Sequence, residues 1–314
     1  MKLALLFAGQ GSQHAGMGAD LYEQFSAFRQ VLDGCAAGVN FDLKTLCFAG
    51  PDEMLRQTRY TQPCMVAFAA GVTKVLLQAG ARPFAAAGLS LGEYSALCAA
   101  GVFTPRQAVE LAAFRGAAME QAVEGNAGGM AAVLGLDRDA LAKVCAAASS
   151  LGVVEIANYN CPGQMVIGGD AAAVERACEL AKQAGARRCL PLKVSGPFHT
   201  SRMAPAAAAL AQRFLQETFG QMAFPVYFNC LGRPMGPEDS IPDLLERQVR
   251  SGVYMEDTLR RLADQGVDQV IEIGPGRVLS GLWKKTVTDR KVPVLCVETA
   301  RELADAVQRI QEEC

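Results

Sequence analysis

Histidine is nearly missing from this chain of 314 residues: there are two, His14 and His199. Any imidazole chemistry must come from one of them. No run of about 18 apolar residues occurs, so no bilayer-spanning helix is expected. Lys2 followed by the apolar run Leu3 to Ala8 is too short for the apolar region of a leader peptide, and it ends in Gly-Gln-Gly-Ser-Gln rather than in a small-x-small cleavage site. A long basic run is also missing, and 30 Lys plus Arg against 32 Asp plus Glu leave a formal net charge of -2. That balance offers no electrostatic footprint for nucleic acid or an anionic membrane. The 11 cysteines contain no C-x-x-C pair, are irregularly spaced and are odd in number. The expectation is reduced thiols in a cytoplasmic protein, with neither a disulfide framework nor a metal site.

What is present is ordinary globular composition, 51% hydrophobic, 20% charged and 7% aromatic. A chain of this length can bury one large core, or one core with a smaller appended domain. Short apolar runs alternate with alanine-rich stretches of helical period, the pattern of strands buried on both faces and covered by helices. The class is therefore α/β. Strands are predicted at Leu3 to Ala8, Pro83 to Ala87, Val226 to Asn229, Gln269 to Ile273 and Val292 to Val297. Thr104-Pro105-Arg106-Gln107 supplies an N-cap Thr, a Pro at the first helical position and a capping-box Gln, opening a helix that runs to about Val123.

Between Gly125 and Val194 the pattern changes. Strands are predicted at Met130 to Leu136, Val153 to Tyr159, Gln164 to Gly168 and Arg188 to Val194, with helices at Asp139 to Ala148 and Ala171 to Ala184. That β-α-β-β-α-β order is the split unit of ferredoxin-like domains. The expected organisation is a larger domain over 1–124 and 195–314, interrupted by a ferredoxin-like subdomain over 125–194. Gly125 to Gly129 is the flexible entry and Ser195-Gly196-Pro197 the exit.

Gly88-Leu89-Ser90-Leu91-Gly92 fits G-x-S-x-G, with a predicted strand before it and a helix, Glu93 to Ala100, after it. In that context the glycines permit a tight strand-to-helix turn that pushes the Ser hydroxyl out at a helix N-terminus. The pattern alone is only moderately specific, and a bland turn serine is the competing reading. A nucleophilic Ser needs a base. His199 stands at the exit of the inserted subdomain and is the stronger candidate, whereas His14 sits in a Gly-rich loop as a bystander. In Gly9-Gln10-Gly11-Ser12-Gln13 the backbone N–H groups are placed to line an anion or oxyanion site together with the N–H of Leu91. A phosphate loop or a simple tight turn competes there, although neither the Walker nor the dinucleotide spacing is met. Arg115 shares a helix face with Ala108, Leu111 and Met119. Its planar fork suits a carboxylate, and snorkelling to solvent is an equally weighted alternative.

Taken in order, these elements resemble the malonyl-CoA:acyl carrier protein transacylase family over essentially the whole chain. The match comprises Phe7 to Gln13 with Gly16-Met17-Gly18, Gly88 to Ala96, Arg115-Gly116 with Met119, Asn158 to Gln164, Phe198-His199, Gln248, and Glu272 to Gly276. The resemblance implies an α/β-hydrolase-like large domain with a parallel sheet, carrying the inserted ferredoxin-like domain. It implies Ser90 as the acylated nucleophile, His199 as its base, and the N–H groups of Gln10 and Leu91 as the oxyanion hole. Arg115 would grip the free malonyl carboxylate. A backbone carbonyl near Gln248, rather than an Asp, would orient the imidazole. Asn160 would play a supporting role, and Phe198 would narrow the space near C2 of the acyl group. Many relatives carry His immediately before the nucleophile, where this chain has Leu89. The implied substrates are malonyl-CoA and acyl carrier protein, with no cofactor, in fatty acid or polyketide synthesis. A serine hydrolase or thioesterase using the same turn is the main competitor, and Arg115 argues against it. A catalytically silent scaffold would have no need of both Ser90 and His199.

Overall fold

A computed structural model of the chain describes residues 1–125 and 128–312. Within the expected flexible entry, Asn126 and Ala127 lie outside the described residues. The strands are β1 (Leu3–Phe7), β2 (Pro83–Gly88), β3 (Gly128–Leu134), β4 (Val154–Cys161), β5 (Gln164–Asp170), β6 (Arg188–Pro191), β7 (Val226–Phe228), β8 (Arg233–Pro234), β9 (Val253–Tyr254), β10 (Gln269–Ile273) and β11 (Val294–Val297). The chain is mixed α/β and divides into two compact units. One comprises Met1–Ala117, Thr218–Tyr227 and Arg260–Cys314; the other comprises Ala118–Glu217 and Phe228–Leu259.

In the first unit the strands run in the order β11-β10-β1-β2-β7, and every neighbouring pair is parallel. A parallel sheet covered on both faces needs strands with no polar face. All five residues of β1 are fully buried, which is why Leu3 to Phe7 reads as an unbroken apolar run. β2 leads directly into the helix Gly92–Ala99. The helix Pro105–Val123 starts where the capping signals place it, and Gln107 N donates to Thr104 Oγ1 at 3.2 Å.

In the second unit the strand order is β6-β3-β5-β4-β9. The first four strands pair antiparallel, and β9 pairs parallel with β4. Helices Arg138–Ala148 and Ala171–Gln183 pack their apolar stripes on one face of this sheet, through Leu141, Val144, Val174 and Ala177 against Val133, Val154 and Ile167. Two boundaries differ from the sequence expectation for local reasons. β3 ends at Leu134 because Gly135 turns the chain at φ +93°, with its N–H on Gly163 O at 2.8 Å. β6 ends at Pro191, which has no N–H to donate; one further bond runs from Leu192 N to Met130 O.

Candidate active site

Ser90 occupies the turn between β2 and the helix Gly92–Ala99. The turn is so tight that a Cβ on Gly88 would lie 1.9 Å from the carbonyl carbon of Gly92, and a Cβ on Gly92 would lie 2.2 Å from Phe7 O. Only hydrogen fits at either position, which is the physical content of the two outer glycines in the motif. Ser90 itself takes φ 52°, and His199 takes φ 60°. Among the described residues these are the two non-glycine positions with positive φ. Such a backbone costs about 1–3 kcal/mol and persists where the surroundings hold it, typically at functional sites. Leu91 follows as the helix N-cap, so its N–H precedes the intrahelical ladder.

Arg115 is fully buried, as are Ala108 and Leu111 on the same helix face, and Met119 is nearly so. The snorkelling alternative is thereby excluded. Its Nη2 donates to Ser90 Oγ at 3.1 Å, and its Nη1 donates to Gln62 Oε1 at 2.9 Å. Burial pulls its pKa down, while Tyr94 and Glu93 act in the opposite direction. A guanidinium stays charged even so. The arrangement holds a buried positive fork beside the serine hydroxyl.

Gln10 lies in the loop after β1, and its side-chain Nε2 donates to Thr58 Oγ1 at 3.1 Å. Further along this loop Gly11 N donates to Gln13 Oε1 at 2.8 Å. His14 Nε2 lies 2.7 Å from Glu298 Oε1, and its Nδ1 lies 2.9 Å from Ala15 O. His14 therefore ties this loop to the segment after β11.

In the second unit His199 is 4% exposed, and its Nδ1 lies 2.9 Å from Gln248 O. A carbonyl can only accept, so Nδ1 carries a proton, and in the neutral ring that tautomer leaves the lone pair on Nε2. Gln248 sits near the end of the helix Ile241–Val249, where the last carbonyls lack intrahelical partners. The loop around His199 is held by Thr200 Oγ1 donating to Pro197 O at 2.6 Å and by Ser201 N and Oγ donating to Glu155. Phe198 is buried beside His199. Asn160, on β4, has a buried Oδ1 without a hydrogen-bond partner among the described residues.

The structure thus joins Ser90 to Arg115 and, separately, His199 to Gln248. Sequence reasoning missed Gln62, a fully desolvated amide on the helix Thr58–Gln78 that shares Arg115. Its only signal was a polar residue two positions ahead of the apolar stretch Cys64 to Gly71. Among the described residues no group of three or more His, Cys, Asp or Glu side chains is placed to hold a metal ion. No helix among them is long and apolar enough to cross a membrane.

The chain also matches known proteins along its length. The acyl transferase domain family matches residues 4–311. The malonyl CoA-acyl carrier protein transacylase of Bacillus subtilis is 41% identical over 313 residues, covering 99% of this chain and 98% of the relative. The malonyl CoA-acyl carrier protein transacylase of Escherichia coli is 41% identical over 287 residues, covering 91% and 93%. Among solved structures, the malonyl CoA-acyl carrier protein transacylase of Clostridium perfringens superposes with TM-score 0.95 at 36% identity, covering 100% of this chain and 98% of that one. A type II PKS acyl-carrier protein in complex with its malonyl-transacylase superposes with TM-score 0.93 at 38% identity, covering 98% and 100%. With matches of this identity running from end to end, the chain belongs to the acyl transferase domain family and, within it, to the malonyl CoA-acyl carrier protein transacylases.

Proposed function

We propose that this protein transfers a malonyl group from malonyl-CoA, through an acyl intermediate on Ser90, to the phosphopantetheine thiol of an acyl carrier protein. Ser90 Oγ attacks the thioester carbonyl while His199 Nε2 takes its proton. The resulting oxyanion is received by the N–H groups of Gln10 and Leu91. Collapse breaks the C–S bond, and the proton on His199 passes to the departing CoA sulfur. The carrier thiol then runs the same steps in reverse, which one Ser-His pair can serve because the first half-reaction turns a thioester into the Ser90 ester and the second turns that ester back into a thioester. Arg115 holds the free malonyl carboxylate, and Phe198 and Asn160 bound the acyl group. The proposed reaction calls on no cofactor, malonyl-CoA being a substrate. Its setting is the cytoplasm, in fatty acid or polyketide synthesis.

The observation that carries this reading is the buried Arg115 within hydrogen-bond reach of Ser90 Oγ. A hydrolase acting on neutral esters has no use for a desolvated cation beside its nucleophile, whereas a dicarboxylic acyl group does. The order β6-β3-β5-β4 with antiparallel pairing supports a ferredoxin-like subdomain inserted at 125–194. The parallel sheet ending in the Ser90 turn supports an α/β-hydrolase-like catalytic domain over 1–124 and 195–314. Intact-mass spectrometry after incubation with malonyl-CoA should find the enzyme heavier by one malonyl group. No adduct, or an adduct surviving in Ser90→Ala, would sink the mechanism.

A further inference from the structure

Arg115 lies against an aromatic face. Its Cζ stands 5.5 Å from the centroid of the Tyr94 ring, within the range of cation–π attraction. Tyr94 and Arg115 are both fully buried, so water does not screen the contact. Tyr94 is itself fixed: it sits in the first turn of the helix that Ser90 introduces, with its N–H on Leu91 O at 3.0 Å. Its ring stacks on Phe103 at 6.3 Å and 18°, and Phe103 packs edge-on against Phe219 at 5.4 Å. The Tyr94 hydroxyl is buried and has no hydrogen-bond partner among the described residues. A stranded hydroxyl on a well-packed ring indicates that the ring, not the phenol oxygen, is the working part.

We infer that Tyr94 is a positioning residue for acyl-group selection, its aromatic face fixing the plane of the Arg115 guanidinium so that the fork is held ready for a carboxylate. The hydrogen bonds to Gln62 Oε1 and Ser90 Oγ restrain Arg115 at two nitrogens. The packed Tyr94 ring adds to these bonds a contact on the face of the guanidinium, which bears on the tilt of its plane. The same helix carries Leu91 and Tyr94, so the turn that presents the nucleophile also sets the height of the platform under the cation. This inference rests on the proposed role of Arg115 as the carboxylate-binding group.

The test is the ratio of malonyl to acetyl transfer, with KM and kcat for each CoA thioester measured separately. Tyr94→Phe keeps the face and should keep the ratio. Tyr94→Leu should lower the ratio about tenfold, mainly through KM for malonyl-CoA, as a desolvated cation–π contact is lost. Replacing Tyr94 with phenylalanines carrying one, two and five ring fluorines preserves size while draining the ring face, so folding is not at issue. The ratio should fall stepwise along that series. A flat ratio across the fluorinated series, or a Phe variant as impaired as the Leu variant, overturns the role of Tyr94. If Arg115→Ala retains the malonyl preference, the reading of Arg115 itself fails; selectivity lost in Arg115→Ala but kept along the ring series refutes the present inference alone.

Discussion

Arg115→Ala is the most informative single change, because the structure allows its effect to be worked out beforehand. A carboxylate meeting the guanidinium fork gains two charge-assisted hydrogen bonds, each worth about 1.5–3 kcal/mol. Against that, Arg115 must give up its bond to Ser90 Oγ, worth about 1 kcal/mol. The net is about 2–5 kcal/mol in favour of a malonyl over an acetyl group, a factor of about 30 to 5,000 in kcat/KM. Removing the side chain also leaves Gln62 Oε1 without this donor at a site that is 1% exposed, costing about 1–3 kcal/mol of stability. Relief of a buried charge offsets part of that cost. Arg115→Met, which keeps much of the stem volume, controls for packing. The assay is the initial rate of transfer from malonyl-CoA and acetyl-CoA to carrier protein, with urea denaturation confirming that each variant is folded at the assay temperature. The expected outcome is a collapse of malonyl transfer with acetyl transfer little changed. If both fall by the same factor, Arg115 only supports the fold around Ser90 and the carboxylate argument is wrong.

Two further changes probe the scaffold. Gly88→Ala would place a methyl 1.9 Å from the Gly92 carbonyl carbon, an overlap that side-chain movement cannot relieve, so a loss above about 4 kcal/mol or outright failure to fold is expected; a normal urea midpoint for this variant would show that the turn can open. His14→Ala tests the tie to Glu298. The backbone carbonyl of Ala15 and the Glu298 carboxylate raise the His14 pKa above 6.5, so the stabilisation is fully present below that value and is lost as pH rises through the raised one. With the His14 side chain half exposed, the loss in His14→Ala should stay under about 1 kcal/mol near pH 5.5 and vanish near pH 8.5. Urea midpoints for both proteins at the two pH values decide it, and a larger loss at the alkaline end contradicts the ion pair.

Much of this protein can be read from its residues in order. The unbroken apolar run of β1 reflects burial on both faces, the G-x-S-x-G turn reflects a backbone that leaves room only for hydrogen, and Thr104 with Pro105 marks a helix start. Each is a local constraint, written within a few neighbouring positions. Strand ends were less legible, since Gly135 and Pro191 act through backbone geometry that hydrophobic period does not register.

Which polar groups meet was decided only in three dimensions. Arg115 had two equally good sequence readings, solvent or site, and packing chose between them by burying it against Gln62, 53 positions away. The proton on His199 Nδ1 follows from a carbonyl 49 positions distant, at a helix end the sequence marks only as Gln248. Tyr94 reads locally as one more aromatic helix residue, and His14 as a spare imidazole, until the fold sets a guanidinium over one ring and Glu298 beside the other. The physical reason is range. Propensity, capping and turn chemistry act over a few residues, whereas a buried charge is satisfied by whatever the core brings to it, and that partner leaves no periodic trace in the chain.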